Sequence, residues 1–444
     1  MKLEKFKNID KKKRFIIIFT VCCVFLLAGV FLYTSFATFT EEKQFNVING
    51  QVQDPGDLYF AVYIDGQITN TFLKKDDGYS FDASQSSCTN GATVSWDNES
   101  WSALINFSNY QAENMSRTKC TVHFKESSFA DTILSCSDTA ANCIQDNASL
   151  SSEIATDDPD GNARYIGANP NNYVLFNNEL WRIIGVMNDI TLDDGAGTKS
   201  NLLKIIRDQS IGEYTWDNKP NGVGSSTTAY GSNYWVDSRT NLLLNPGYEN
   251  QSIGGSLYYN AKNGTCYSGD NNGSVACDFT NNGLKDSASK NMIQTVVWNI
   301  GAYSEIYNNV SDWYINERGS AVYDSNYLST WTGKIGLMYP SDYGYATSGG
   351  NATDRNECLT TISSWHQYQD CYNNDWLYTG TNQWTITPGM GYTTFVAAIS
   401  SYAYISNQPI TNGSYSIKPT LYLSSSVKIT GGTGTSSDPY QLSL

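Results

Sequence analysis

Residues 173–186, YVLFNNELWRIIGV, decide how the chain is read. Two apolar, aromatic runs, Tyr173–Phe176 and Leu180–Val186, are separated by Asn177, Asn178 and Glu179. Asparagine tolerates left-handed backbone angles, so this spacing predicts two strands joined by a tight hairpin turn. Downstream, Asn201–Arg207 (NLLKIIR) reads as a third strand. Asp237–Asn245 (DSRTNLLLN) reads as a short helix that starts on an Asp and stops at Pro246-Gly247. Leu284, Ala288, Met292, Val296 and Ile300 recur every four residues, with Ile293 and Val297 beside them, and predict an amphipathic helix ending at Gly301. Late strands are expected at Lys334–Met338, Trp384–Thr387, Thr394–Ile399, Tyr402–Ile405 and Lys418–Leu423. Two helices with a largely antiparallel sheet make residues 157–444 an α+β domain.

Upstream, LYFAVYIDG, GYSF, ATVSWD, WSALINF and CTVHF alternate apolar and polar residues between turn signals. Short strands at that spacing predict a small antiparallel β-sandwich over residues 41–126, with Trp96 and Trp101 in its core. Residues 127–156 are polar and aperiodic and read as a linker holding one small disulfide loop.

The N-terminus is split in character. Residues 1–14 carry seven Lys/Arg and two acids, and residues 15–40 carry no charge at all. About 20 apolar residues span a bilayer as a helix, and a basic flank stays in the cytoplasm. Residues 15–40 are therefore expected to be a transmembrane helix in the cell membrane. Residues 1–14 become a basic cytoplasmic stub, and the rest lies outside the cell. The alternative is a cleaved signal peptide, for which Ser35-Phe36-Ala37 is a poor cleavage site.

The remainder holds 21 basic and 41 acidic groups. Such a body repels phosphate backbones, which argues against nucleic-acid binding and favours cations, basic partners or uncharged glycans. Cys22 and Cys23 lie in the apolar run. The other eight cysteines fall into neighbouring couples: Cys88/Cys120, Cys136/Cys143, Cys266/Cys277 and Cys358/Cys371. Eight cysteines permit about 105 connectivities, and neighbour pairing is the reading adopted. Zinc is disfavoured, because no couple is a C-x-x-C and the chain has two histidines.

Those two histidines also weigh against nucleophilic catalysis, which needs a base near neutrality. His123 sits in an expected strand and His366 in a polar loop. No P-loop, G-x-S-x-G or dinucleotide fingerprint occurs. A glycan hydrolase needs only a carboxylate pair, which 41 acids could supply, so that alternative stays open. Ahead of the hairpin, Asp157, Asp158, Asp160 and Asn162 surround Gly161. Hard oxygens of this kind suit calcium, the one cofactor considered, but a Pro-Asp-Gly turn explains them without metal and is the reading preferred. The C-terminal aromatics Trp376, Tyr378, Tyr392, Tyr402 and Tyr404 are the candidate ligand-binding residues, because Tyr and Trp join contact area to a polar handle.

The order of WVDSRTNLLLN, SASKNMIQTVVW, KIGLMYPSDYGYA and NQWTITPG…IKPTLYL resembles a bacterial surface-protein domain of uncharacterised function, common in Firmicutes. That domain is similar to the C-type lectin fold class, which includes formylglycine-generating enzymes and retroelement-diversified adhesins. The resemblance covers residues 157–444. It implies a C-type-lectin-like α+β head on a bacterial cell-surface protein. Lys418 stands where the family usually has Arg, and no cysteine follows Cys371, so the enzymatic cysteine chemistry of that class does not transfer. The expectation is a membrane-anchored protein that binds a glycan or protein ligand, or adheres, without catalysis. The alternatives are a carboxylate-pair hydrolase and a purely structural surface protein.

Overall fold

A computed structural model describes residues 58–64, 66–69, 79–97, 100–106, 118–126, 128–219, 230–391, 393–413 and 415–444. The fold expectation loses its membrane element here. Among the described residues no helix is long and apolar enough to cross a membrane. The longest described helix, Val310–Glu317, has eight residues against the roughly 20 that a span needs. The segment 15–40, and the single-pass location built on it, lies outside the described residues.

The chain divides into two compact units between Glu126 and Ser127. In the first, strands β1 (Leu58–Ile64), β2 (Gln67–Thr69), β3 (Tyr79–Phe81), β4 (Ser87–Cys88), β5 (Thr93–Asp97), β6 (Ser102–Asn106) and β7 (Thr118–Glu126) follow one another. They form a five-stranded sheet in the order β2-β1-β7-β3, with β4 also on β7, and a separate β5-β6 hairpin. The expected antiparallel sandwich is thus corrected to a mixed sheet with a hairpin, because β1 runs parallel to β7. A parallel pair needs a long crossover, which the intervening residues supply. The tryptophans are half-buried rather than core: Trp96 lies 5.3 Å from Trp101 and 4.9 Å from Phe124, centroid to centroid. Cys88 faces Cys120 across β4 and β7, and the two are disulfide-bonded. His123 stacks on Tyr63 at 4.4 Å.

The second unit begins with a further correction. Residues 127–156 are not a linker but part of its core. Helix Phe129–Ser135 starts at a Ser128/Asp131 capping box, and helix Ala140–Asp146 starts at Thr139. The Cys136–Cys143 disulfide joins them. Ala140 and Ile144 are fully buried. Two turns of helix are too short to display a period in the sequence.

Strands β8 (Ile154–Ala155), β9 (Ala163–Tyr165), β10 (Tyr173–Phe176), β11 (Glu179–Thr191) and β12 (Lys199–Arg207) come next. The hairpin that opened the reading is present. Asn177 and Asn178 hold φ of 56° and 59°, and β10 pairs antiparallel with β11. Asn177 also clamps the turn to distant chain: its Oδ1 accepts the Lys285 and Asp286 N–H groups at 2.8 and 3.0 Å. Ser238, not Asp237, caps helix Arg239–Leu244. Strands β13 (Asn263–Tyr267) and β14 (Ser274–Asp278) form a hairpin locked by Cys266–Cys277.

The helix expected over residues 284–300 is corrected to helix Ser287–Met292 followed by strand β15 (Val296–Asn299). Val296 and Trp298 are buried while Val297 and Asn299 are partly exposed, so the period changes from four to two within the segment. Strands β16 (Thr330–Gly333) and β17 (Ile335–Gly336) precede helix Pro340–Tyr345. The last strands are β18 (Gln383–Pro388), β19 (Phe395–Ile399), β20 (Ile405–Pro409), β21 (Thr420–Tyr422), β22 (Lys428–Gly431) and β23 (Gln441–Ser443). The main sheet runs β17-β21-β12-β11-β9-β8, with β10 on β11, and β18-β19-β20 is a separate antiparallel sheet. The unit is α+β. Trp181, Trp216, Trp235, Trp298, Trp313, Trp365 and Trp384 are all fully buried, so its aromatic wealth is chiefly interior.

Candidate functional site

The oxygens of the acidic loop before the hairpin are largely engaged within the protein. Asp157 pairs with Arg355 at 2.8 Å. Asp158 accepts Arg164 Nε at 2.5 Å and the Asn162 side chain at 2.7 Å. Asp160 accepts the Tyr314 hydroxyl at 2.5 Å, and Asn162 Oδ1 accepts the Asn188 N–H at 2.6 Å. The oxygens of Asp157 and Asp158, Asp160 Oδ2 and Asn162 Oδ1 thus already serve a protein cation or an N–H or O–H group. Among the described residues no three His, Cys, Asp or Glu side chains are grouped to hold a metal.

The loop is instead the edge of a buried charge network. Arg164 bridges Asp158 to Asp342, which it meets at 2.9 Å, and Lys204 reaches Asp342 at 2.5 Å. All four side chains are at most 2% exposed. Burial alone would raise the Asp342 carboxyl, but Lys204 and Arg164 outweigh it and hold it down at about 2. Burial brings Lys204 down to about 8 against the pull of Asp342. Nearby, burial pushes Glu317 up to about 7 even though it pairs with Arg318 and accepts from Ser341. A network closed to solvent serves the fold rather than a ligand.

Of the aromatics proposed for recognition, Trp376 is core, 5% exposed. Its indole N–H donates to Tyr165 O at 2.8 Å, and its ring and that of Tyr173 sandwich the Arg182 guanidinium at 4.5 and 4.2 Å. It is withdrawn as a ligand contact. Tyr392 lies outside the described residues. The remaining three converge at one end of the β18-β19-β20 sheet. Tyr402 and Tyr404 were expected on a strand, but they sit in the turn between β19 and β20. Tyr402 is 71% exposed, while Tyr404 is half-buried edge-on to the exposed His366 ring at 5.4 Å.

That turn is held from many sides. Ala403 N–H donates to Ser400 O, and Ser400 N–H to Tyr404 O, both at 2.9 Å. Tyr402 N–H donates to Ser400 Oγ at 3.1 Å, and Ser401 N–H to Asn382 Oδ1 at 2.7 Å. From below, the hydroxyl of Tyr378 donates to Ser401 O at 2.6 Å and that of Tyr343 to Ala403 O at 3.0 Å. Ala403 adopts φ of 69°, a conformation that costs a non-glycine residue about 1 kcal/mol and persists where its surroundings over-determine it. Tyr378 thus supports the site rather than lining it. Behind Tyr378 stands Asp375, whose Oδ1 accepts the Leu377 and Tyr378 N–H groups at 2.8 and 3.3 Å. Burial pushes its carboxyl well above the usual carboxylate range. Asn382, Tyr343 and Asp375 were missed from sequence, because each acts on the turn from a distant position in the chain.

At the other end of β19 and β20, Tyr230, Thr394, Pro409, Ile410 and Thr411 line a shallow cavity of about 200 Å³. Sites for drug-sized ligands begin at about 300 Å³. No family model matches the chain, and no match to it is found among curated proteins or solved structures.

Proposed function

We propose that the chain is a non-catalytic recognition protein of an oxidising compartment, and that it holds its ligand on the Tyr402 tip. The observation that carries this is the tip itself: a large aromatic side chain displayed to water on a turn fixed by six hydrogen bonds. Preorganised display lowers the entropy lost on binding, which is how a small contact becomes a useful one. The four disulfides, in the neighbour pairing expected from sequence, favour an oxidising exterior. The resemblance to the C-type lectin class belongs to the same proposal.

The hydrolase reading has less to stand on. The carboxyls that burial raises, Asp217 and Glu317 to about 7 and Asp375 well above the usual carboxylate range, are enclosed and hydrogen-bonded to backbone N–H groups. The test is an array of glycans and proteins probed with the full chain and with Tyr402→Ala. Ligands retained by the first and lost by the second are expected. Equal retention, or turnover of a polymer without retention, would refute the proposal.

A further inference from the structure

Three cations buried in the second unit are matched by carboxylates: Arg164 by Asp158 and Asp342, Lys204 by Asp342, and Arg207 by Glu179. Arg182 and Lys418 are not. Arg182 is 6% exposed and donates to neutral acceptors, Nε to Asn172 Oδ1 at 2.8 Å and Nη2 to Asn169 Oδ1 and Pro170 O at 3.3 Å. Its Nη1 donates to no group among the described residues. Lys418 is 7% exposed, and its ammonium makes no hydrogen bond or ion pair among the described residues.

The two charges share one face of the main sheet. Arg182 stands opposite Ile206, and Ile206 opposite Thr420. The pairing continues where Arg207 N–H donates to Pro419 O at 3.0 Å. Side chains alternate along a strand, so Lys418, two residues before Thr420, and Asp208, two after Ile206, lie on the side of Arg182. The three groups feel one another. Burial brings the Lys418 ammonium down to about 8, with Arg182 and Arg207 adding to it against the pull of Asp208. Asp208 accepts the Gln209 side chain at 2.7 Å and forms no ion pair with either cation. It is half-buried, as are Leu180 and Leu175, which continue its row across the sheet. This end of the face is therefore a rim that water reaches.

Buried charge is normally paired, because taking an ion out of water is costly, and a guanidinium does not shed its proton. With Arg207 matched by Glu179, the charges of Arg182, Lys418 and Asp208 leave one positive charge over. A carboxylate balances that surplus, and a sulfate dianion exceeds it. The Arg182 guanidinium lies between the Tyr173 and Trp376 rings, so its free approach is in its own plane, along the Nη1 edge. A carboxylate takes a guanidinium in that plane and keeps a second oxygen for an ammonium.

We propose that Lys418 and Arg182 bind the carboxylate of a small organic acid, one oxygen on the Lys418 ammonium and the other on Arg182 Nη1. The chain is acidic as a whole, but this spot carries a local excess of positive charge. The site is separate from the Tyr402 tip and does not depend on that reading.

The experiment is a thermal melt of the full chain in acetate, sulfate or chloride at equal ionic strength, at about pH 6, where the Lys418 ammonium is protonated. Acetate should raise the melting temperature over chloride, increasingly with concentration, as a ligand of the folded state does. Lys418→Met keeps the apolar stem and removes the charge. It should weaken the fitted acetate affinity about tenfold, the worth of one charge-assisted hydrogen bond. Sulfate should stabilise the parent and Lys418→Met equally, through its exclusion from protein surfaces. In the parent itself, acetate should slow reductive methylation of Lys418, read by peptide mass spectrometry, because a bound carboxylate keeps the amine protonated. No acetate response, an equal one in Lys418→Met, or no slowing of methylation overturns the site. A Lys418-dependent response to sulfate as large as that to acetate overturns the ligand class.

Discussion

Tyr378 donates its phenolic hydrogen to the carbonyl of Ser401 at 2.6 Å, so the residue next to the exposed Tyr402 is held by a side chain 23 positions earlier. Tyr378 is in turn set by Asp375, whose carboxyl takes the Tyr378 N–H. The route from a buried acid to a displayed aromatic is thus two hydrogen bonds long.

Tyr378→Phe removes the first of these and leaves the ring in place. A net loss of about 1 kcal/mol is expected, with faster amide exchange at residues 400–404 and weaker ligand retention. A thermal melt with hydrogen-exchange mass spectrometry reads all of this. Unchanged exchange in the turn would show that Tyr378 does not hold it.

Asp375, Asp217 and Glu317 have folded pKa values raised above their unfolded values near 4. The stability each contributes is fully present below the unfolded pKa and is lost as pH rises through the folded one. For Asp217 and Glu317 that window runs from about 4 to about 7. Denaturant melts should therefore show stability falling from pH 4 towards 7 by a smaller amount in Asp217→Asn than in the parent, since the variant cannot ionise. Parallel pH profiles would contradict this.

Asp342 works in the opposite sense. Its folded pKa lies below its unfolded one, so its contribution is present above about pH 4 and is lost as pH falls through about 2. Asp342→Asn leaves Arg164 and Lys204 buried without their shared carboxylate and should cost about 3–5 kcal/mol. Lys204→Met should cost less, because Asp342 keeps Arg164. Urea midpoints of the two variants in the reverse order would refute the assignment.

Cys358 and Cys371 are both fully buried and close a loop with a sequence separation of 13 that carries His366. Replacing both with alanine should remove about 3 kcal/mol in the chain-entropy model. Calorimetry of the double variant against the parent gives the number, and a change under 1 kcal/mol would place the loop's order elsewhere.

Local chemistry made part of this legible. The Asn177-Asn178 turn could be read because left-handed backbone there is a property of the residue type, and the cysteine couples because they are neighbours. What escaped was non-local or mixed in period. Residues 284–300 satisfy a helical spacing through Met292 and then alternate, so one pattern concealed two elements. The carboxylates of residues 157–162 looked available because Arg355, Tyr314 and Asn188 lie far along the chain. Trp376 looked like a surface aromatic until Arg182 closed over it. Tyr402 was singled out for its type, but its exposure follows from a turn that its sequence neighbours do not announce.

The two helices between Phe129 and Asp146 carry a practical lesson about where the molecule can be cut. Ala140 N–H donates to Val427 O at 2.8 Å, and Lys428 reaches back to Ser137 O at 3.2 Å, so the start of this unit is stitched to its end. A fragment begun at residue 157 would strip a lid of apolar side chains from the sheet and tend to aggregate. One begun at Ser128 keeps the lid, and is the piece to express when the tip is studied in isolation.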